Sequence, residues 1–132
     1  MAELSYPLSR SGRDRVRTRT GTPVSEVTLD AVVAGRLRPS DVAVAPETLV
    51  LQATFAEESG NPQLAANLRR GAELVAFSDD ELLAFYEMLR PGRSSADELE
   101  SLARALAERG AERCAVLVRE ARAAYVRRGL IA

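Results

Sequence analysis

Ser78-Asp79-Asp80-Glu81-Leu82-Leu83-Ala84-Phe85-Tyr86-Glu87-Met88-Leu89-Arg90-Pro91-Gly92 reads as one complete helix with its start and its stop written in. Ser78 and Glu81 have the spacing of a capping box, in which the serine hydroxyl accepts from the Glu81 amide and the Glu81 carboxylate reaches back to the amide of Ser78. Leu82, Phe85, Tyr86 and Leu89 follow at i, i+3, i+4 and i+7, so a 3.6-residue repeat puts them on one face. Pro91-Gly92 then ends the run, because proline lacks an amide to donate and glycine takes the left-handed turn cheaply. The pattern starts again at once. Ser95 with Glu98 is a second capping box, Leu99, Leu102, Ala103 and Leu106 repeat the spacing, and Gly110 breaks the chain.

Working outward, the last helix is expected from about Ala111 to Arg128, with Cys114, Leu117, Val118, Ala121, Ala124 and Tyr125 on its inner side and Gly129 at its end. Upstream, Thr28 can cap a short helix from Leu29 to Ala34 that Gly35 stops, and Pro39 closes the connection. Pro46 suits a first helical position and Glu47 the positive end of the dipole, so a helix is predicted to about Ser59, with Gly60 after it. Asn61 caps the next, which places Leu64, Leu68, Ala72 and Val75 on one stripe and carries Gly71 in its middle. From Ser5 to Val27 no period is sustained, and Pro7, Gly12, Gly21 and Pro23 interrupt any attempt at one. The expectation is therefore an all-α protein: an irregular N-terminal arm over residues 1–27, then a small helical domain of about five helices over residues 28–132. The arm has no apolar repeat with which to fold by itself, so something else must hold it.

The composition excludes much chemistry. At 132 residues the chain has room for one core. All 18 basic residues are arginine and there is no histidine, so the near-neutral proton carrier and the commonest metal ligand are both missing. A Ser-His-Asp or Cys-His mechanism cannot be built, and without lysine neither can a Schiff base or a phosphate-loop lysine. The paired acids Glu57-Glu58 and Asp79-Asp80-Glu81 sit at a helix end and a helix start, where capping and solvent account for them. Cys114, the single cysteine, falls on the apolar stripe of the last helix and reads as a small buried hydrophobe in a reducing compartment. No catalytic, cofactor-binding or metal-binding residue is assigned. No apolar run approaches the roughly 20 residues of a membrane helix, and Met1-Ala2-Glu3-Leu4-Ser5-Tyr6-Pro7 lacks the basic and apolar regions of a secretory signal. A cytoplasmic location follows as the expectation.

Arg10, Arg13, Arg15, Arg17 and Arg19 form an alternating cationic stretch that an extended chain would turn to one side. Such a stripe suits an acidic groove or phosphates. No aromatic residues interleave for base stacking, and the net charge of −1 offers no overall cationic surplus, so docking onto a protein is favoured over nucleic acid. The alternative is a helical nucleic-acid-binding or regulatory module working through the same arm.

Short strings now carry more than periods do. Pro46-Glu47-Thr48-Leu49 with Leu51-Gln52-Ala53, then Ala72-Glu73-Leu74, Leu89-Arg90-Pro91 with Arg93-Ser94, Glu98-Leu99, and Cys114-Ala115 with Val118-Arg119-Glu120-Ala121 and Tyr125-Val126 stand in this order along the chain. In order and spacing they resemble the small subunits of propanediol and glycerol dehydratases, from about Val24 to Leu130, with Tyr6-Pro7-Leu8 as a weaker match. The resemblance implies a heterohexamer, two each of large, medium and small subunits, in the cytoplasm. Its large subunit is a TIM barrel holding substrate and a metal ion, and adenosylcobalamin lies between large and medium subunits. The reaction turns a 1,2-diol into an aldehyde and water, a hydro-lyase activity, and the choice between glycerol and propane-1,2-diol is made in another subunit. The small subunit packs on the large one, contributes stability and assembly, and binds no cofactor, nucleic acid or membrane. For its interface the expectation is Tyr6, Pro7, Arg90, Pro91 and Arg93, from the arm and from a proline-terminated helix end. Three departures stand out. Ala45 replaces a threonine cap, Gly92 replaces an aromatic residue, and a longer N-terminal extension linked to packaging in a protein-shelled microcompartment has no counterpart, so packaging is not expected.

Overall fold

The computed structural model describes residues 4–132. Met1, Ala2 and Glu3, which belong to the expected arm and to the start read against a secretory signal, lie outside the described residues. The helices are α1 (Leu8–Ser11), α2 (Leu29–Val33), α3 (Pro46–Glu58), α4 (Pro62–Leu74), α5 (Asp79–Met88), α6 (Ala96–Glu108) and α7 (Glu112–Arg127). Single 3-10 turns cover Val24–Glu26 and Pro39–Val42. Among the described residues there is no strand, only the isolated bridges Arg17 to Pro23 and Thr18 to Val44. The class is all-α, and the five long helices are the five that the sequence spacing predicts. None of them is long and apolar enough to cross a membrane. Two compact units divide the chain, residues up to Ala72 and Glu73–Ala132.

In the first unit the local caps are those written in the sequence. Thr28 Oγ1 accepts from the Ala31 amide at 3.2 Å, and Asn61 Oδ1 accepts from the Leu64 amide at 3.2 Å. Ala45 contributes no side-chain bond to the start of α3, as a methyl group must not, and Pro46 alone sets that entry. A small-residue core of Ala53, Ala56 and Ala65, with Leu68 against it, brings α3 and α4 together. Leu64, placed on the inner stripe by its spacing, is exposed, and Ala65 is the residue turned inward. The bulky neighbour and the small one differ by 100° around the helix, and the close approach of α3 selects the small one.

The N-terminal segment departs from the expectation of an arm with nothing to pack against. Leu8 of α1 is buried. The Arg19 amide donates to the Ala43 carbonyl at 3.0 Å, and the Thr20 hydroxyl donates to Asp41. The Tyr6 ring meets Phe55 edge-on with centroids 6.5 Å apart. These contacts, backbone to backbone and side chain to side chain, join residues far apart in sequence, a class that no periodicity reveals. The expected cationic stripe is not built either, because Arg10 lies in α1, Arg13 and Arg15 in a turn, and only Arg17 on a bridge.

In the second unit α6 and α7 pack side by side around Phe77, Leu99, Leu102, Ala103, Leu106, Ala111, Cys114, Ala115 and Val118. Leu82, Phe85, Met88 and Leu89 of α5 and its end cover that core from one side, and Leu74 and Tyr125 from others. Both capping boxes close: Ser78 Oγ accepts from the Glu81 amide at 3.3 Å with the return bond at 2.8 Å, and Ser95 with Glu98 gives 3.2 and 2.7 Å. Tyr86 and Leu117, assigned to inner faces from their spacing, are exposed. Each stands at the edge of an apolar stripe that is wider than the surface its neighbours can cover.

Two side chains bind the helices of this unit crosswise. The Tyr125 hydroxyl donates to the Leu89 carbonyl at 2.6 Å, which satisfies an end carbonyl of α5 from α7. Arg109 lies over the Phe77 ring at 4.0 Å, donates to the Ala76 carbonyl at 3.2 Å and pairs with Glu81. Phe77 in turn meets Phe85 edge-on at 5.3 Å.

Gly71 offers a test in α4. It has ordinary helical backbone, and a Cβ added there would meet only Leu49 Cδ1, at 3.8 Å, an ordinary contact. No backbone approaches closely enough to require glycine. Gly71→Ala is expected to raise stability by about 0.5–1 kcal/mol in urea unfolding, through helix propensity and a less flexible unfolded chain. A loss of stability would mean that the space beside Leu49 is tighter than these distances allow.

Candidate functional site

Of the five expected interface residues, two lie in the first unit and three in the second. Tyr6 is 78% exposed despite its edge contact with Phe55. Pro7 is half-buried at the start of α1, where its carbonyl accepts from the Arg10 amide at 3.0 Å. Tyr6 forms the rim of an open groove floored by Leu4, Phe55, Ala56, Leu64 and Leu68, with Gln52 and Ser59 at its polar edge. The groove exists because α3 and α4 meet through alanines and leave their larger side chains splayed on one side.

In the second unit Arg90, Pro91 and Arg93 sit together on the exposed turn after α5. Arg90 Nη1 lies 3.0 Å from Glu87 and Arg93 Nε 3.2 Å from the other oxygen of the same carboxylate, so Glu87 clamps both guanidiniums. Gly92 between them takes a φ of +77°, a left-handed turn that an aromatic residue would adopt only with strain. Tyr86 and Leu83 stand exposed one and two turns back on α5. The sequence reading assigned neither to the surface, although Leu82 and Leu83 cannot both face one core, and that adjacency was the available signal.

The cysteine and the paired acids lie apart from these two places. Cys114 is buried in the core of the second unit. Its amide and that of Arg113 both donate to Glu73, at 2.9 and 3.1 Å, so a carboxylate from 40 residues upstream caps α7. Asp79, Asp80 and Glu81 fill the first turn of α5, and Glu57 pairs with Arg69. Among the described residues no three of Cys, Asp or Glu converge as metal ligands do, and no buried polar side-chain atom is left waiting for a partner.

Four carboxylates titrate low. The Ser78 amide, and then Arg109, hold Glu81 below its ordinary 4.5. Arg90 does so for Glu87 and Arg119 for Glu100. The Thr20 hydroxyl and then the Arg38 amide lower Asp41 from its ordinary 3.8. A carboxylate with a lowered folded value contributes stability above its unfolded value and loses it as pH falls through the folded one. No histidine exists to titrate between. The thermal midpoint is therefore expected to be flat from about pH 5.5 to 8 and to fall below about pH 4.5, more gently in high salt. A step near pH 6.5 would contradict this.

With this geometry in view, comparison with known proteins is decisive. The profile described as "Dehydratase small subunit" matches residues 1–132. This chain belongs to the dehydratase small-subunit family. It is 43% identical over 124 residues to a propanediol dehydratase small subunit of Citrobacter freundii, covering 93% of this chain and 72% of the relative. It is 41% identical over the same length to the propanediol dehydratase small subunit of Salmonella typhimurium, with the same coverage of both. For a family member the buried Cys114 and the crosswise ties of Tyr125 and Arg109 are supports of the fold, and the exposed turn at Arg90-Pro91 belongs to its outer surface.

Proposed function

We propose that the chain is the non-catalytic small subunit of an adenosylcobalamin-dependent diol or glycerol dehydratase, and that it stabilises and assembles the complex by packing on the large subunit. The observation that carries this reading is the 43% identity to a propanediol dehydratase small subunit across 93% of the chain. The fold supports it from another side. Tyr6, Leu29, Val33, Leu83 and Tyr86 stand mostly exposed on a chain with only small alanine-rich and leucine-rich cores, a surface that a larger partner would cover. In this proposal the complex is a heterohexamer of large, medium and small subunits, two of each, in the cytoplasm. The 1,2-diol is converted to aldehyde and water elsewhere, and adenosylcobalamin is bound by the other subunits. Tyr6, Pro7, Arg90, Pro91 and Arg93 are proposed interface positions, since tyrosine and arginine beside a rigid proline bury area at little entropic cost.

The test is co-expression with the large and medium subunits. A tagged copy of the chain is expected to recover the large subunit, and adding the chain to a large and medium pair supplied with adenosylcobalamin is expected to raise diol turnover or its lifetime. Arg90→Glu combined with Arg93→Glu should weaken recovery several-fold if that turn is in the interface. Failure to recover a large subunit, or turnover by the isolated chain, would overturn the reading.

A further inference from the structure

Six of the nine arginines of the second unit pair with carboxylates within it. Arg90 and Arg93 face Glu87, Arg104 and Arg119 face Glu100, Arg109 faces Glu81 and Arg113 faces Glu73. Between Leu8 and Ala45 the balance is different. Seven arginines, from Arg10 to Arg38, stand against the four carboxylates Asp14, Glu26, Asp30 and Asp41, whereas the rest of the chain has eleven against fifteen. All seven are exposed, and among the described residues none of them makes an ion pair.

The folding of this segment brings three of them together. The Thr18 to Val44 bridge and the bond from the Arg19 amide to the Ala43 carbonyl lay residues 17–19 along residues 43–44. Asp41 accepts from the Thr20 hydroxyl and from the Arg38 amide at 2.7 Å, so its oxygens hold the loop and make no ion pair with a guanidinium. The segments that carry Arg17, Arg19 and Arg38 are thereby held beside the one that carries Val42 and Val44, both of them exposed. Three exposed guanidiniums without a carboxylate in an ion pair, that of Arg17 donating to the Gly21 carbonyl at 3.0 Å, and two exposed valines on adjoining segments make a face that is incomplete by itself.

We propose that this face is a docking surface for an acidic protein surface, on which carboxylates ring a shallow apolar depression that receives Val42 and Val44. Arginine suits that partner because its planar fork binds a carboxylate through two parallel bonds. Phosphate backbones would meet the charge but not the valines, and no aromatic residue lies between Leu8 and Ala45 to stack on a base. The identity of the partner rests on the function proposed above, which makes it the large subunit of the dehydratase.

The experiment compares the wild-type complex with the triple variant Arg17→Glu, Arg19→Glu, Arg38→Glu, co-expressed with the large and medium subunits and captured through the large one. A control pair, Arg127→Glu with Arg128→Glu, reverses charge at the end of α7. The triple variant is expected to be recovered about tenfold less at 0.1 M salt, wild-type recovery to fall as salt rises, and the control to match wild type. Circular dichroism of each variant, and the milder Arg→Gln triple with an intermediate loss, separate docking from misfolding. Equal recovery of wild type and a folded triple variant overturns this inference and leaves the proposed function standing. Failure of the wild type to be recovered overturns both. Nucleic acid bound by the wild type and released by the same three substitutions also overturns it, in favour of a phosphate partner.

Discussion

Leu99→Ala is expected to destabilise the protein by about 3 kcal/mol, within the range of roughly 2–5 for a leucine truncated in a well-packed core. Leu99 is 1% exposed and is the largest fully buried side chain among the described residues. It lies on α6 among Leu102, Leu106, Phe77 and Val118. Removing its isobutyl group takes away apolar burial and leaves a void, since α6 and α7 are held apart by the other core side chains. Leu83→Ala serves as the comparison, because Leu83 is a leucine in the same unit that is mostly exposed. Its unfolding free energy in urea should move by no more than about 0.5 kcal/mol. Equal effects of the two substitutions would mean that the core of the second unit is not the one described.

Glu73→Ala is the second large effect, expected at about 2–3 kcal/mol, with Glu73→Gln costing roughly half as much. The N-terminus of α7 needs an acceptor, and Ala111, at the capping position, has none to give. Glu73 takes the amides of Arg113 and Cys114 at once, and its side chain is only 15% exposed. Alanine would leave two amides at a partly buried helix end without protein partners and remove a negative charge from the positive end of the dipole. Glutamine keeps one oxygen but not the charge. Thermal melts of the three proteins should rank wild type, Gln, Ala; a glutamine variant as weak as the alanine one would assign the whole effect to charge.

These two residues mark what could be read from the sequence. Leu99 was legible as core because it follows its own capping box at the right spacing, and Ser95, Ser78, Thr28 and Asn61 were legible as caps for the same reason: donor and acceptor lie within three residues of each other. Glu73 was not. Its partners lie 40 residues away, and a glutamate at the end of one helix gives no sign that it will cap another. The hub of Thr18, Thr20 and Asp41 was hidden in the same way, which is why the N-terminal segment read as an arm needing outside support. Leu64, Tyr86 and Leu117 show a different limit. Periodicity gives the direction of an apolar stripe but not how much of its width the neighbouring helices cover. The candidate site was less legible still, since an interface is defined by a surface that another chain supplies; Arg90, Pro91 and Arg93 could be placed on one exposed turn, whereas their role depends on what meets them.

Ala103, Ala111 and Ala115 show no exposure at all in the core that α6 and α7 share. Three methyl groups there set how near the two backbones come, and a larger group at any of them would wedge the pair apart. In a randomised library selected for folding, these should be the positions that tolerate nothing bulkier than serine or glycine, while Leu83 and Tyr86 accept many replacements. The freedom of this protein to diverge is thus narrowest where its side chains are smallest.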